Sequence, residues 1–369
     1  MNLKSIVRTI ITAVPKNKNK IIFESHSDFT DSTKALYDKL KDSSKYKFIW
    51  FVEHPENFKN TKNTIFLDIN KKHNLRNLYH ILTSKYIFFT HRAFPLQNYS
   101  KQCVVNLTHG IGIKDSKGKL PTDFNYVISG NDTLKEVTLK EFECENATLL
   151  PFGLPRNDLL FEKNKEVEKL VKGYDKFILW LPTFRKHKNG AVDTDLFEHQ
   201  TFPLFADSEL DKLNDTLVKM NYLLILKVHP AQDISNVKAL HYSNIKVMTN
   251  DDLKAKNIEF YHLLGRADTV LTDYSSVGND YLLLDRPIGY VITDVEEYRS
   301  SRGFCYENYE DYLPGPKIFT QKEFMKYLKD LKKGKDEYHD ERIRVRDFYW
   351  KYHDNKNCER LLDYFHIKE

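Results

Sequence analysis

Residues 268–285 read DTVLTDYSSVGNDYLLLD, and the change of period inside them decides the fold. The run 268–272 is short, β-branched and not alternating, as expected of a strand buried on both faces. From Ser275 the apolar residues recur at helical spacing through 285, and serine is a favoured residue at a helix start. A buried strand running straight into a helix is one unit of a parallel α/β sheet. The same unit recurs outward in both directions. Strand-like runs stand at 20–24 (KIIFE), 47–52 (KFIWFV), 64–67, 85–90 (KYIFFT), 103–107 (CVVNL) and 125–129. A second series covers 176–181 (KFILWL), 222–228 (YLLILKV), 244–248, 268–272 and 287–292. Helical patterns fill the intervals at 30–41, 72–83, 131–142, 207–219, 257–264 and 275–285. The two series predict two doubly wound domains facing a central cleft. Their junction is marked by PFGLPRNDLLF at 151–161, where proline and glycine punctuate the pattern. We set the bounds at 21–152 and 153–345, with a C-terminal helix over 346–369 packing across both domains.

Bulk properties narrow the function classes. The 369 residues carry 57 basic and 52 acidic side chains, a net charge of +5. That is a milder excess than nucleic-acid binders usually show, and it suits anionic small molecules or an anionic membrane surface. Cys103, Cys144, Cys305 and Cys358 are isolated, with no metal-ligand spacing, which favours a reduced compartment over a disulfide scaffold. No apolar run reaches the length of a membrane span. At the N-terminus Leu3, Ile6, Val7, Ile10, Ile11 and Val14 form one helical stripe in an acid-free stretch with Lys4 and Arg8. Residues 1–20 therefore read equally as a helix lying on an anionic membrane or as one packed on the protein itself.

In doubly wound domains ligands bind beyond the carboxyl ends of the strands, so the residues following each strand are the ones to inspect. Thr108-His109-Gly110-Ile111-Gly112-Ile113-Lys114 follows the run at 103–107. Glycine there permits close approach of the backbone to a ligand, and the lysines attract anions. Lys227-Val228-His229-Pro230 closes the run at 222–228. Thr272-Asp273-Tyr274-Ser275-Ser276 joins strand to helix, where free N–H groups favour phosphate. Thr183-Phe184-Arg185 and Arg302-Gly303-Phe304 offer arginines able to grip a phosphate in bidentate fashion. Each motif taken alone also fits an ordinary turn, a helix cap or a solvated basic loop. His26, His54, His73, His80, His91, His241 and His262 lack glycine or anion-binding company and read as surface or packed residues. No phosphate-binding P-loop, dinucleotide fingerprint or metal-binding helix motif is present.

The ordered set resembles the CDP-glycerol glycerophosphotransferase family of teichoic-acid and capsule synthesis. The matching stretches are THG at 108–110, GLPRNDLLF at 153–161, LPTFR at 181–185, LKVHP at 226–230, LTDYSSVGNDYLLLDRP at 271–287, RGF at 302–304, LPGP at 313–316 and YHDNKNCERLLDYF at 352–365. The resemblance implies a GT-B-like pair of Rossmann-like domains, with peripheral attachment at the cytoplasmic face of the membrane. It also implies transfer of glycerol phosphate from CDP-glycerol to a lipid-linked polymer precursor, release of CMP, and no cofactor or catalytic metal. The family's two histidines correspond to His109 and His229. Gly110, Thr183, Arg185, Lys227, Thr272, Asp273, Ser275, Ser276, Asp280 and Arg302 are the donor-binding candidates. We expect His109 as general base and His229 as donor to a phosphate oxygen, though sequence alone allows the two roles to be exchanged. HGIGIK replaces the HGTPLK common in the family, and Gly278-Asn279 replaces a bulky apolar pair. These departures leave CDP-ribitol or a nucleotide sugar as alternative donors, and an inactive envelope scaffold as a reading of another class.

Overall fold

The computed structural model describes residues 12–71, 74–92, 101–114, 124–141, 144, 146–182, 204–228, 241–301 and 303–368. The chain forms two compact units. The first comprises Met1–Ile111, Ser116–Asp158 and Phe348–Glu369; the second comprises Gly112–Asp115 and Leu159–Asp347.

The first unit holds a seven-stranded sheet built from β1 (Asn17–Glu24), β2 (Lys47–Val52), β3 (Thr64–Asp68), β4 (Ser84–Phe89), β5 (Cys103–Asn106), β6 (Tyr126–Ile128) and β7 (Thr148–Leu150). Its order is β3-β2-β1-β4-β5-β6-β7, with every pairing parallel. The order reverses between β1 and β4, so the crevice at their carboxyl ends is the place for a ligand. The register shows why KIIFE has no polar alternation. On one face Ile22 lies in line with Ile49 and Ile87, within a core that also takes in Val104 and Val127. On the other face Phe23 stacks between Trp50 and Phe88 at centroid distances of 5.1 and 5.8 Å. Each such side chain contributes about 2–3 kcal/mol of burial, so a polar residue on either face would be costly.

The second unit repeats the plan with β8 (Lys176–Trp180), β9 (Tyr222–Lys227), β10 (Ile245–Met248), β11 (Thr269–Thr272), β12 (Ile288–Val291) and β13 (Lys317–Ile318). The order is β10-β9-β8-β11-β12-β13, again all parallel, with the reversal between β8 and β11. Its core gathers Ile178, Trp180, Leu224, Leu226 and Leu271 with Leu213, Leu217 and Phe324 from flanking helices. The helix Leu210–Met220 ends on Asn221 in the left-handed region, a regular helix stop.

The expected α/β class with two doubly wound sheets is therefore what the chain forms. The expected strands all occur within a few residues of their bounds. Two further strands, β7 and β13, span only three and two residues, too short for a period to declare itself. At the N-terminus, Asn17–Glu24 is strand, so residues 17–20 are not part of the helix expected over 1–20; Pro15 precedes the strand, and Asn17 pairs with Ser84. Residues 1–11, which carry most of the apolar stripe, lie outside the described residues. The terminal segment is tied into the first unit by Asp158. Its carboxylate accepts the backbone N–H groups of Asn357 (2.8 Å) and Cys358 (2.9 Å) at the start of the helix Asn357–Tyr364. No helix among the described residues is long and apolar enough to cross a membrane.

Candidate active site

In the first unit the side chains converge where the strand order reverses. Buried Glu24 ends β1, and its Oε2 accepts three successive backbone N–H groups after β4, from Thr90 (3.2 Å), His91 (3.1 Å) and Arg92 (3.1 Å). Burial raises the Glu24 pKa, and these three bonds oppose the rise. One carboxylate thus fixes the turn that carries His91. The neighbouring β5 ends at Asn106, whose side-chain oxygen accepts the N–H of Thr108 at 2.9 Å. Thr108 adopts φ 51°, in the left-handed region that a β-branched residue rarely occupies. That turn lifts His109 clear of the sheet, with its side chain 66% exposed.

His109 Nδ1 lies 2.8 Å from Asp31 Oδ2. Asp31 opens the helix Asp31–Leu40 with φ 64°, and its side chain is 6% exposed. Arg156 Nη1 donates to Asp31 Oδ1 at 2.9 Å and to the His109 carbonyl at 2.7 Å. Burial alone would raise the Asp31 pKa, but the Arg156 charge and the His109 hydrogen bond outweigh it and hold the carboxyl well below the usual range. An ionised carboxylate can only accept, so Nδ1 of neutral His109 carries the hydrogen and the Nε2 lone pair is left for a substrate proton. A buried carboxylate orienting an exposed imidazole is the arrangement of a general base.

Two further histidines join this group. The His91 ring centroid is 4.5 Å from that of His109 and 5.4 Å from that of His26. Thr90 Oγ1 and His91 Nδ1 are 2.8 Å apart. Burial, followed by the charge of His109, pulls the His91 pKa down to about 3, so the ring stays neutral at working pH. His26 is exposed and His91 partly buried, as the sequence reading has them; the fold adds that the His91 ring lies between those of His26 and His109. Asp31 was not expected, because it lies 78 residues from His109 with nothing local to mark it. Arg156 did carry a signal, inside the GLPRNDLLF stretch.

In the second unit the residues after β11 hold the predicted phosphate-binding turn. Thr272 is buried and donates from Oγ1 to the Leu181 carbonyl at 3.2 Å, which ties β11 to the end of β8. Asp273 is also buried, and its Oδ1 accepts the Ser275 N–H at 3.1 Å. Ser275 sits at the N-cap of the helix Ser276–Tyr281, yet its side chain makes no capping bond. Gly112 packs against this turn. A Cβ placed there would stand 3.2 Å from Ser276 Cβ and 3.3 Å from its Cα. Beyond it Lys114 pairs with Phe304 in an antiparallel bridge, and Cys305 N–H donates to the Ile113 carbonyl at 2.8 Å. Lys114 Nζ lies 5.7 Å from the ring of Tyr298, which packs on Tyr274 at 4.5 Å.

The remaining candidates differ in placement. Lys227 closes β9 with Nζ 5.2 Å from the Phe260 ring, and burial lowers its pKa to about 8. Gly110 adopts φ 155° beside His109. Asp280 is fully buried within the helix and accepts from Tyr261 Oη at 2.5 Å. His229, Thr183, Arg185 and Arg302 lie outside the described residues. Among the described residues no group of three or more His, Cys, Asp or Glu side chains could hold a metal ion.

The family model described as CDP-glycerol:poly(glycerophosphate) glycerophosphotransferase matches residues 6–366. A teichoic acid poly(glycerol phosphate) polymerase of Bacillus spizizenii is 28% identical over 93% of this chain and 90% of its own length. A teichoic acid poly(ribitol-phosphate) polymerase of the same organism is 27% identical over 96% of this chain and 57% of its own length. Among solved structures, the wall teichoic acid polymerase TagF superposes with a TM-score of 0.75 at 22% identity, covering 99% of this chain and 93% of that one.

Proposed function

Because the chain belongs to the CDP-glycerol:poly(glycerophosphate) glycerophosphotransferase family, we propose that it moves glycerol phosphate from CDP-glycerol to a hydroxyl of a lipid-linked teichoic-acid or capsular polymer precursor, releasing CMP. The observation that carries the chemical part is the Asp31–His109–Arg156 constellation. An acceptor hydroxyl attacks the phosphorus that bears the glycerol. The new O–P bond forms as the bond to the CMP phosphate breaks, and CMP leaves with the electron pair. The hydroxyl proton passes to Nε2 of His109, and Asp31 stabilises the imidazolium that results. Arg156 keeps Asp31 ionised throughout. Transfer of this kind depends chiefly on positioning and charge stabilisation. We assign the positioning of the donor phosphates to Gly110, Lys227 and the Thr272–Ser276 turn, together with Thr183, Arg185 and Arg302 from the sequence. His229 is assigned to the phosphate oxygen of the leaving CMP. Asp273 holds the turn through the Ser275 N–H, and Asp280 acts only by anchoring the helix behind it. A lipid-linked acceptor places the reaction at the cytoplasmic membrane surface.

The test is CMP release from CDP-glycerol with a polyol-phosphate acceptor. His109→Ala is expected to lower turnover by about 10²–10⁴ while CDP-glycerol binding, measured by calorimetry, persists. Turnover close to that of the parent would remove His109 from the role of base. CDP-ribitol is run beside CDP-glycerol because one relative is named as a ribitol-phosphate polymerase. Preference for it would change the polyol and leave the chemistry intact.

A further inference from the structure

Two imidazoles stand together at the end of the first sheet, and the transfer proposed above uses one of them. The ring of His91 lies 4.5 Å from that of His109 and is inclined at 56° to it. Neighbouring strands deliver the pair: Phe89 in β4 pairs with Asn106 in β5, and each histidine stands in the turn that follows its strand. Each ring commits its Nδ1 to the protein. His109 Nδ1 donates to Asp31 Oδ2 at 2.8 Å, and His91 Nδ1 lies 2.8 Å from Thr90 Oγ1. Nε2 of His91 has no hydrogen-bond partner among the described residues.

The other polar groups around His109 are engaged or closed off. Asp31 Oδ1 accepts the Ser32 N–H at 2.6 Å as well as Arg156, and Oδ2 is taken by His109. Glu24 is buried and holds the turn after β4. Ser32 Oγ and Thr108 Oγ1 are sealed from solvent. His26 lies beyond His91, with ring centroids 5.4 Å apart. His91, itself only partly buried, therefore supplies the polar atom left beside the base. Burial, and then the charge of His109, hold its pKa at about 3, so the ring is neutral. A neutral imidazole is poorly suited to an anion. It suits a hydroxyl, because the Thr90 hydroxyl can donate to Nδ1 or accept from it, which leaves Nε2 as donor or acceptor to match.

We propose that His91 Nε2 binds the hydroxyl next to the one that reacts, so that the two histidines together read a vicinal diol at the end of the acceptor. The inference rests on the transfer reading above and deepens it. A terminal glycerol phosphate linked through an end carbon carries hydroxyls on two neighbouring carbons. With one held at His91, the other is directed at Nε2 of His109, and the gain comes from orientation. His91 moves no proton; it determines which acceptor end is used.

The test compares acceptors ending in glycerol phosphate, trimethylene glycol phosphate and propylene glycol phosphate; the last two each lack one hydroxyl of the diol. The parent should use the glycerol end about tenfold better in kcat/KM than whichever deoxy end it accepts. His91→Phe keeps a ring on His109 and removes Nε2, so it should lose about tenfold on the glycerol end and with it the preference. His91→Gln, whose amide reaches the position of Nε2, should keep the preference. His91→Leu is measured beside His91→Phe, with melting temperatures for all, so that a folding defect in one variant does not decide the result. The KM for CDP-glycerol should stay at the parent value throughout. An unchanged preference in His91→Phe and His91→Leu would overturn the proposal. So would an equal loss on glycerol and deoxy ends, the mark of a ring that only supports His109, or a parent that uses both ends alike. A parent that transfers to none of the three overturns the transfer reading, and this proposal with it.

Discussion

At the scale of single residues, the centre of the first unit is Asp31. It orients His109, pairs with Arg156 and opens a helix, and each of these favours its charged form. Asp31→Asn keeps the shape and removes the charge, so turnover is expected to fall by about 10²-fold or more while donor affinity stays near the parent value. Because folding holds the Asp31 pKa below its ordinary 3.8, its contribution to stability is complete above that value and is lost as pH falls further. Urea unfolding below pH 4 should therefore be less pH-dependent in Asp31→Asn than in the parent. Arg156→Ala leaves a buried carboxylate without its cation, at a cost of about 3–5 kcal/mol. Arg156→Lys restores the charge but not the bridge to the His109 carbonyl, so we expect it to recover stability ahead of turnover. None of these three roles was visible as a spacing. His109 announced itself as a histidine after a buried strand, whereas Asp31 had to be brought to it by the fold.

At the scale of elements, two glycines separate packing from function. A Cβ at Gly130 would stand 2.2 Å from the Tyr349 carbonyl oxygen and 2.6 Å from the Trp350 ring. Backbone cannot yield there, so Gly130→Ala should lower stability by about 2 kcal/mol or more, read as a shift in the denaturation midpoint. The atoms nearest a Cβ at Gly112 are those of Ser276, at 3.2 and 3.3 Å, in a partly buried loop. Gly112→Ala is expected to displace the Ser275–Ser276 turn by a few tenths of an ångström. A raised KM for the donor with an unchanged melting temperature would confirm that; an unchanged KM would count against the turn as a phosphate site. Strand–helix alternation at this scale was readily legible, because a strand buried on both faces must be apolar throughout. The short β7 and β13 were not, since two or three residues cannot display a period.

At the scale of the molecule, pH acts through groups whose burial disfavours charge. The unfolded chain protonates His80 and His91 near 6.5, while the folded chain resists until about 4 and about 3. The unfolded state thus binds more protons in that interval, and stability falls as pH drops through it. Thermal unfolding between pH 6.5 and 4 should show this slope, and His91→Asn should flatten it. The chain's own order of apolar runs determined two parallel α/β units, because burial on both faces leaves a continuous signature in the sequence. It also determined which strand ends carry the histidine, the glycines and the serine pair, since ligand groups must follow strands in such sheets. Only tertiary structure decided which residues surround His109. Glu24, Asp31, His91 and Arg156 come from separate segments, and no local pattern records a distance of 2.8 Å between side chains 78 residues apart.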